Sequence, residues 1–165
     1  MLARRWLLEP HVRRWWNDDP AETRYPERTL DKWRARIRGE EPTRMYLIQL
    51  DERPIGVIQS YLVEDDPDYV DEIGELGERA LSIDLFIGEP DLIGKGHGPA
   101  LIRAFLEDEM ARYGVDYCVI GPATTNVAAI RAYEKAGFRY LRPYREPGTT
   151  DPEHVLLDLH RRDLR

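Results

Sequence analysis

From residue 2 to residue 16 apolar positions recur at helical spacing, and Pro10 interrupts them. The polar run NDDPAETRYPER (17–28) predicts a loop. Thr29 is placed to cap a short helix that carries Leu30, Trp33 and Ile37 on one face and stops at Gly39. MYLIQL (45–50) and IGVIQSYLV (55–63) read as strands joined through DERP in a hairpin. An acidic stretch, EDDPDYVDEIGELGE (64–78), predicts a loop. LSIDLFIG (81–88) then alternates: Leu81, Ile83, Leu85 and Ile87 on one face, Ser82, Asp84 and Phe86 on the other.

The second half has a different rhythm. A helix from Pro99 to Tyr113 gathers Leu101, Ile102, Phe105, Leu106 and Met110 on one side and ends at Gly114. VDYCVI (115–120) is a buried strand. NVAAIRAYEKA (126–136) is a helix capped by Asn126 and stopped by Gly137. FRYLRPY (138–144) and HVLLDL (154–159) are strands. A hairpin, a strand and then alternating helices and strands define an α/β (α+β) sheet with mixed pairing. The 165 residues suit one domain over 1–165.

Composition narrows the function. A formal net charge of −7 argues against a nucleic-acid footprint and leans toward a cationic partner. No stretch approaches the length of a membrane span, and MLARRWLLEPHVRR lacks the apolar core and cleavage site of a signal peptide. Cys118 is the single cysteine, which excludes an intramolecular disulfide and fits a reducing cytoplasm. The chain leaves the oligomeric state open, with a monomer favoured.

Chemistry concentrates in DLIGKGHGPALIRAFLEDEM (91–110). A strand, a glycine-rich turn and a helix start form an anion site, because backbone N–H groups point outward and the helix dipole favours negative charge. Pro99 suits the first helical position, where its missing N–H would be unpaired anyway. Neither the Walker A spacing nor the dinucleotide fingerprint fits Gly94, Gly96 and Gly98. A tight loop without a ligand is the alternative. A second motif follows in NVAAIRAYEKAGF, where Asn126 and Tyr133 lie seven apart and so near one helical face.

Together these motifs resemble the GNAT superfamily of acetyl-CoA-dependent N-acetyltransferases. Its glycine turn matches Ile93, Gly94, Lys95, Gly96, His97 and Gly98, with Ile93 in place of the usual Gln or Arg; its helix pattern N-x-x-A-x-x-x-Y-x-x-x-G-F matches at every fixed position. The resemblance implies a mostly antiparallel central sheet flanked by helices. It also implies acetyl-CoA contacts at Phe86, Ile87, the 93–99 turn with Pro99, Asn126, Ala129 and Tyr133. HVRRWW (11–16), PIGVIQSY (54–61), SIDLFIG, GKGHG and NVAAIRAYEKAGF further resemble the aminoglycoside 6'-N-acetyltransferases, in order and at similar intervals. Two departures stand out. That group often carries an aminoglycoside-binding Asp where this chain has Gly121. The chain also begins inside the family's first helix, so either the sheet starts one strand short or the start has been trimmed.

An amine must be neutral to attack a thioester, so a base must take its proton and an acid helps the thiolate leave. Asp84 is the candidate base, largely because the resemblance places the catalytic Asp there; its alternative is an ordinary strand carboxylate. Tyr133 is the candidate acid, and a backbone N–H near Phe86 would polarise the thioester carbonyl. For a small polycationic amine, the acidic stretch offers Asp68, Asp71 and Glu72. Trp15 and Trp16 present flat surfaces to a sugar ring or else pack the core. Gln59, Ser60 and Tyr61 either face the cleft or form a solvated strand face. His97 is a bystander near phosphate, no metal ligand set is apparent, and Cys118 is a small core residue. Two other readings stand beside aminoglycoside acetylation with antibiotic resistance: transfer to another amine, such as a siderophore precursor or a protein N-terminus, and a non-catalytic acyl-CoA sensor.

Overall fold

The computed structural model describes residues 2–17, 19 and 21–164. Asp18 and Pro20, in the expected first loop, and the two terminal residues of the expected domain lie outside the described residues. The chain divides into two compact units: Met1–Ser60, Asp84–Ile93 and Gly148–Thr150 in one, Tyr61–Ile83, Gly94–Pro147 and Asp151–Arg165 in the other.

The first unit opens with α1 (Leu2–Leu8) and α2 (Pro10–Trp16). Pro10 ends one helix and starts the next, since the first helical position needs no N–H. Helix α3 (Glu27–Ile37) begins two residues ahead of the expected Thr29 cap. Glu27 sits in its first turn, where a carboxylate suits the positive end of the helix dipole. Leu30 and Trp33 are buried, whereas Ile37 is 74% exposed at the helix end, contrary to the apolar face expected for it. Strands β1 (Arg44–Leu50) and β2 (Arg53–Leu62) pair antiparallel. Their connection is shorter than DERP: Asp51 and Glu52 alone turn the chain, with φ of 49° and 65°. Two successive positive φ values match the right-handed twist of a hairpin. The core of this unit is Trp6, Leu7, Val12, Leu30, Trp33, Val57 and Phe86.

In the second unit the acidic stretch is not a loop. It holds a 3-10 turn (Val63–Asp65) and α4 (Pro67–Ile73), because Asp66 caps the helix through a bond from the Tyr69 N–H and Pro67 follows. Charge density hid a helix whose apolar positions, Tyr69, Val70 and Ile73, pack against Val63, Ala80, Tyr117, Val119, Tyr144 and Leu156. Strand β3 (Leu81–Ile87) follows, its first three residues counted with this unit and Asp84–Ile87 with the first. Helix α5 runs His97–Tyr113 with Ile102, Leu106 and Met110 fully buried, and ends on Gly114 at φ 66°. Strand β4 is Tyr117–Ile120, helix α6 is Val127–Ala136, and β5 (Arg139–Arg145) and β6 (Glu153–His160) complete the set.

The six strands order as β1-β2-β3-β4-β6-β5. β3 runs parallel to β4, while β4–β6 and β5–β6 are antiparallel. This is the mixed, mostly antiparallel sheet expected.

Candidate active site

The glycine turn is approached through a buried carboxylate. Glu89, 6% exposed, accepts from the Trp6 indole N–H at 2.8 Å, from Arg53 at 2.8 Å and from Arg5. The Trp6 indole, with Arg5 and Arg53, holds its carboxyl below the usual carboxylate range. The preceding Gly88 has no room for a side chain, since a β-carbon there would enter the Trp6 ring. The strand end is thus fixed before the chain turns.

Beyond a 3-10 turn (Pro90–Leu92), Gly94 and Gly96 adopt φ of 73° and 85°, the left-handed region that glycine enters without steric penalty. No heavy atom lies within 4 Å of a β-carbon built on either, so the turn presents bare backbone to open space. Gly96 is the N-cap of α5. The helix starts at His97, so Pro99 falls third rather than first, still within the turn whose N–H groups have no helical partner. The turn thus combines the positive end of α5 with two glycines, Gly94 and Gly96, over which no side chain lies.

Helix α6 begins where expected. The Asn126 side-chain oxygen accepts from the Ala129 N–H at 3.3 Å, so that oxygen serves the helix end. Tyr133 packs its ring edge-on to Phe138 with centroids 5.7 Å apart. Gly137, at φ 113°, terminates the helix.

Asp84 is half-buried on β3. Its Oδ2 accepts from the Gln59 amide nitrogen at 2.7 Å, and the Gln59 oxygen accepts from Arg36 Nη1 at 2.7 Å. Gln59 is 6% exposed and Ser60 fully buried, so this part of β2 is no solvated face. Arg36, on the last turn of α3, escaped sequence reading because a charged residue in an amphipathic helix looks like solvated surface.

Phe86 lies in the aromatic core, with ring centroids 5.0 Å from Trp16 and 6.1 Å from Trp33. Trp16 also meets Trp33 edge-on at 5.6 Å, so its ring packs the core rather than standing open to a sugar. Trp15 diverges from it and lies under the Arg14 guanidinium at 4.6 Å. Ile87 offers its carbonyl to the His11 ring nitrogen at 2.9 Å.

In the second unit, Asp68, Asp71 and Glu72 share one face of α4, as residues three and four apart do. Asp68 and Asp71 are exposed. Partial burial, with the charges of Asp66 and Asp68, raises the Glu72 pKa, and nearby His154 opposes the rise. Tyr61 meets Tyr69 of this helix edge-on at 6.5 Å. Gly121 is a further feature the sequence left unexplained. A β-carbon there would enter the Tyr144 phenol, and its carbonyl accepts from Tyr144 at 3.0 Å and from the His154 ring N–H at 2.8 Å.

The chain thus combines a mixed sheet, a glycine turn leading into a helix and a helix capped by Asn126. The model of the acetyltransferase (GNAT) domain matches residues 1–145, and the chain belongs to that family. Aminoglycoside N(6')-acetyltransferase type 1 from Klebsiella pneumoniae is 31% identical over 134 residues, 81% of this chain and 65% of the relative. The protein of the same name from Serratia marcescens matches equally. This chain therefore spans just under two thirds of the length of those curated relatives. Among solved structures, aminoglycoside acetyltransferase AAC(6')-Ib with paromomycin and acetyl-CoA superposes with a TM-score of 0.80 at 26% identity, over 98% of this chain and 87% of that one. The same enzyme with coenzyme A and kanamycin gives 0.79 at 27%, over 98% and 90%.

Proposed function

We propose that this chain transfers the acetyl group of acetyl-CoA to a primary amine of an aminoglycoside, the 6'-amine, as an antibiotic-resistance enzyme of the cytoplasm acting as one domain. The observation that carries the reading is the half-buried Asp84 carboxylate, held through Gln59 on a scaffold similar to enzymes solved with coenzyme A and aminoglycosides.

Acetyl-CoA supplies the thioester. Backbone N–H groups of the 93–98 turn and the first turn of α5 would hold its diphosphate, and Phe86 and Ile87 would contact it as the family resemblance implies. Asp84 takes a proton from the substrate ammonium, leaving a neutral amine whose lone pair forms the new C–N bond. As the C–S bond breaks, the Tyr133 hydroxyl would give its proton to the sulfur, and the second proton leaving the acetylated nitrogen would restore that hydroxyl by way of water. The products are the acetylated amine and free coenzyme A. Asp68, Asp71 and Glu72 attract the remaining ammonium groups, and Tyr61, in the same unit, offers flat surface to a sugar ring.

The second reading, another amine on the same scaffold, gains support from Gly121. Tyr144 fills the space in which the resembled group's Asp would begin, so ring preference differs from that group even where the chemistry is shared.

The test is thiol release from acetyl-CoA with kanamycin, tobramycin, spermidine and a mono-amine of similar size. Parent protein releases thiol with the aminoglycosides, and Asp84→Asn lowers the maximal rate by about 10²-fold without altering acetyl-CoA affinity. Thiol release only with other amines moves the assignment to the second reading. Release with none of them removes both.

A further inference from the structure

In the first unit one side chain, Gln59, links Asp84 to Arg36 at the end of α3. Arg36 Nη1 donates to the Gln59 oxygen at 2.7 Å, and the Gln59 nitrogen donates to Asp84 Oδ2 at 2.7 Å. On its other edge, Arg36 Nε donates to Glu41 Oε2 at 2.8 Å. Arg36 is 17% exposed at its side chain and Gln59 is 6% exposed as a residue, so both bonds are shielded from water.

The chemistry of the outer two groups fixes the middle one. A guanidinium has only donors, and an ionised carboxylate has only acceptors. A carboxamide between them has one orientation that satisfies both: oxygen toward Arg36, nitrogen toward Asp84. We infer that Arg36 is a positioning residue for acetyl transfer, acting through Gln59 to keep Asp84 ionised and ready to accept a proton. This inference rests on the reading of Asp84 as the base. With Arg36 removed, the Gln59 oxygen loses the donor that holds it and the amide is free to flip. That flip would turn its oxygen toward Asp84, an arrangement that only a protonated acid satisfies.

The indirect route has a reason. A guanidinium in direct contact with the base would repel an ammonium substrate. Placing a neutral amide between them, and pairing the guanidinium with Glu41, delivers the orientation while cancelling the charge. Hydrogen bonds polarise one another in such chains, so Arg36 also strengthens the N–H that Gln59 gives to Asp84.

The experiment compares parent, Arg36→Met, Arg36→Lys and Arg36→Gln by two readouts. The first is the pH profile of kcat on the best amine. Arg36→Met displaces the acidic limb upward by about one pH unit, so the rate falls about tenfold at the foot of the limb and recovers in alkali. The KM for acetyl-CoA stays unchanged, and Arg36→Lys, which keeps a cationic donor, returns most of the displacement. The second readout is the carboxyl-carbon titration of Asp84 by NMR, assigned by its absence in Asp84→Asn. Its midpoint rises in Arg36→Met whether or not any amine is turned over. A failure of the acetyltransferase reading therefore leaves this readout standing. Should Arg36→Met not fold, Arg36→Gln, which keeps a neutral donor, carries the test with a smaller rise. An unmoved Asp84 midpoint in a folded variant, or a rate loss equal at every pH, overturns the inference and leaves Arg36 a packing residue.

Discussion

The phenolic hydroxyl of Tyr144 donates a 3.0 Å hydrogen bond to the carbonyl of Gly121 and stands where a β-carbon at 121 would have to be. Gly121 is therefore a glycine for space, not for backbone conformation, since its φ is outside the left-handed region. The buried His154 ring N–H shares the same carbonyl, so the whole cluster is satisfied as it stands. Gly121→Ala and Gly121→Asp should each destabilise the fold by about 2 kcal/mol, as overpacking of a close-packed site does. Tyr144→Val should remove most of that penalty. Denaturant unfolding of the four-member cycle measures the coupling. Additive losses would mean that Tyr144 yields easily and that the glycine is incidental.

Gly96→Asp tests the anion cradle. The side chain meets open space, so a clash is not the issue. Two other effects are: φ of 85° strains any residue with a β-carbon, and the carboxylate adds negative charge at the α5 N-terminus. Acetyl-CoA affinity by calorimetry should fall at least about tenfold, while Gly96→Ala, strained but uncharged, should lose much less. Equal losses in the two variants would assign the effect to backbone strain. No loss in either would remove the coenzyme site from this turn.

Local rules carried the sequence reading far. Gly114 and Gly137 close their helices at positive φ, and the Asn126 cap and the sheet's mixed pairing are as the pattern indicates. The glycine turn was legible as a turn because its glycines form a short contiguous motif, and Gly94 and Gly96 take the positive φ such a turn needs. Failures came where tertiary context decides. Helix α4 was concealed by its acidic exposed face, although Asp66-Pro67 is a helix-start signal. Trp16 reads like Trp15 in sequence, yet the two side chains diverge by one step of a helix. Arg36–Gln59, Trp6–Glu89 and Gly121–Tyr144 join residues 23, 83 and 23 positions apart. No local pattern encodes such pairs.

Tyr133→Phe removes one hydroxyl and keeps the ring against Phe138. The melting temperature should therefore hold within a few degrees. If the hydroxyl protonates the leaving sulfur, kcat should fall by about 10²-fold while acetyl-CoA affinity barely changes. Unchanged turnover across pH would make Tyr133 a packing residue.

Glu89→Gln probes the clamp ahead of the glycine turn. The amide retains an acceptor for the Trp6 indole but loses the charge facing Arg5 and Arg53. At neutral pH the variant should be less stable by about 1–3 kcal/mol, the usual loss for buried charge-assisted bonds. The pH dependence has a definite sign. The folded-state pKa of Glu89 lies below its ordinary 4.5, so its stabilisation is present above that value and is lost as pH falls through the folded pKa. Parent and variant should converge in strong acid. A stability difference that persists there would show that shape rather than charge holds the clamp.

Helix α4 carries the polycation claim. Asp68, Asp71 and Glu72 share its face, and the Glu72 pKa is raised, first by partial burial and then by Asp66 and Asp68. A carboxylate in that state favours its own proton. Its contribution to stability is present below its ordinary 4.5 and is lost as pH rises through the raised value. Glu72→Gln should therefore match the parent in acid and be slightly more stable at neutral pH. That strain is what an ammonium group relieves, so binding of a polyamine sugar should tighten as pH rises through the Glu72 titration. Neutralising all three residues should raise the KM for kanamycin on the order of tenfold at low salt, since each solvated ion pair contributes little and is screened. The salt dependence should weaken with the same substitutions, and the KM for a mono-amine should hardly move. Acetyl-CoA affinity serves as the internal control. A triple variant that keeps the parent's preference for kanamycin over the mono-amine, at every salt concentration, would make this face of α4 ordinary solvated surface and place polycation recognition elsewhere.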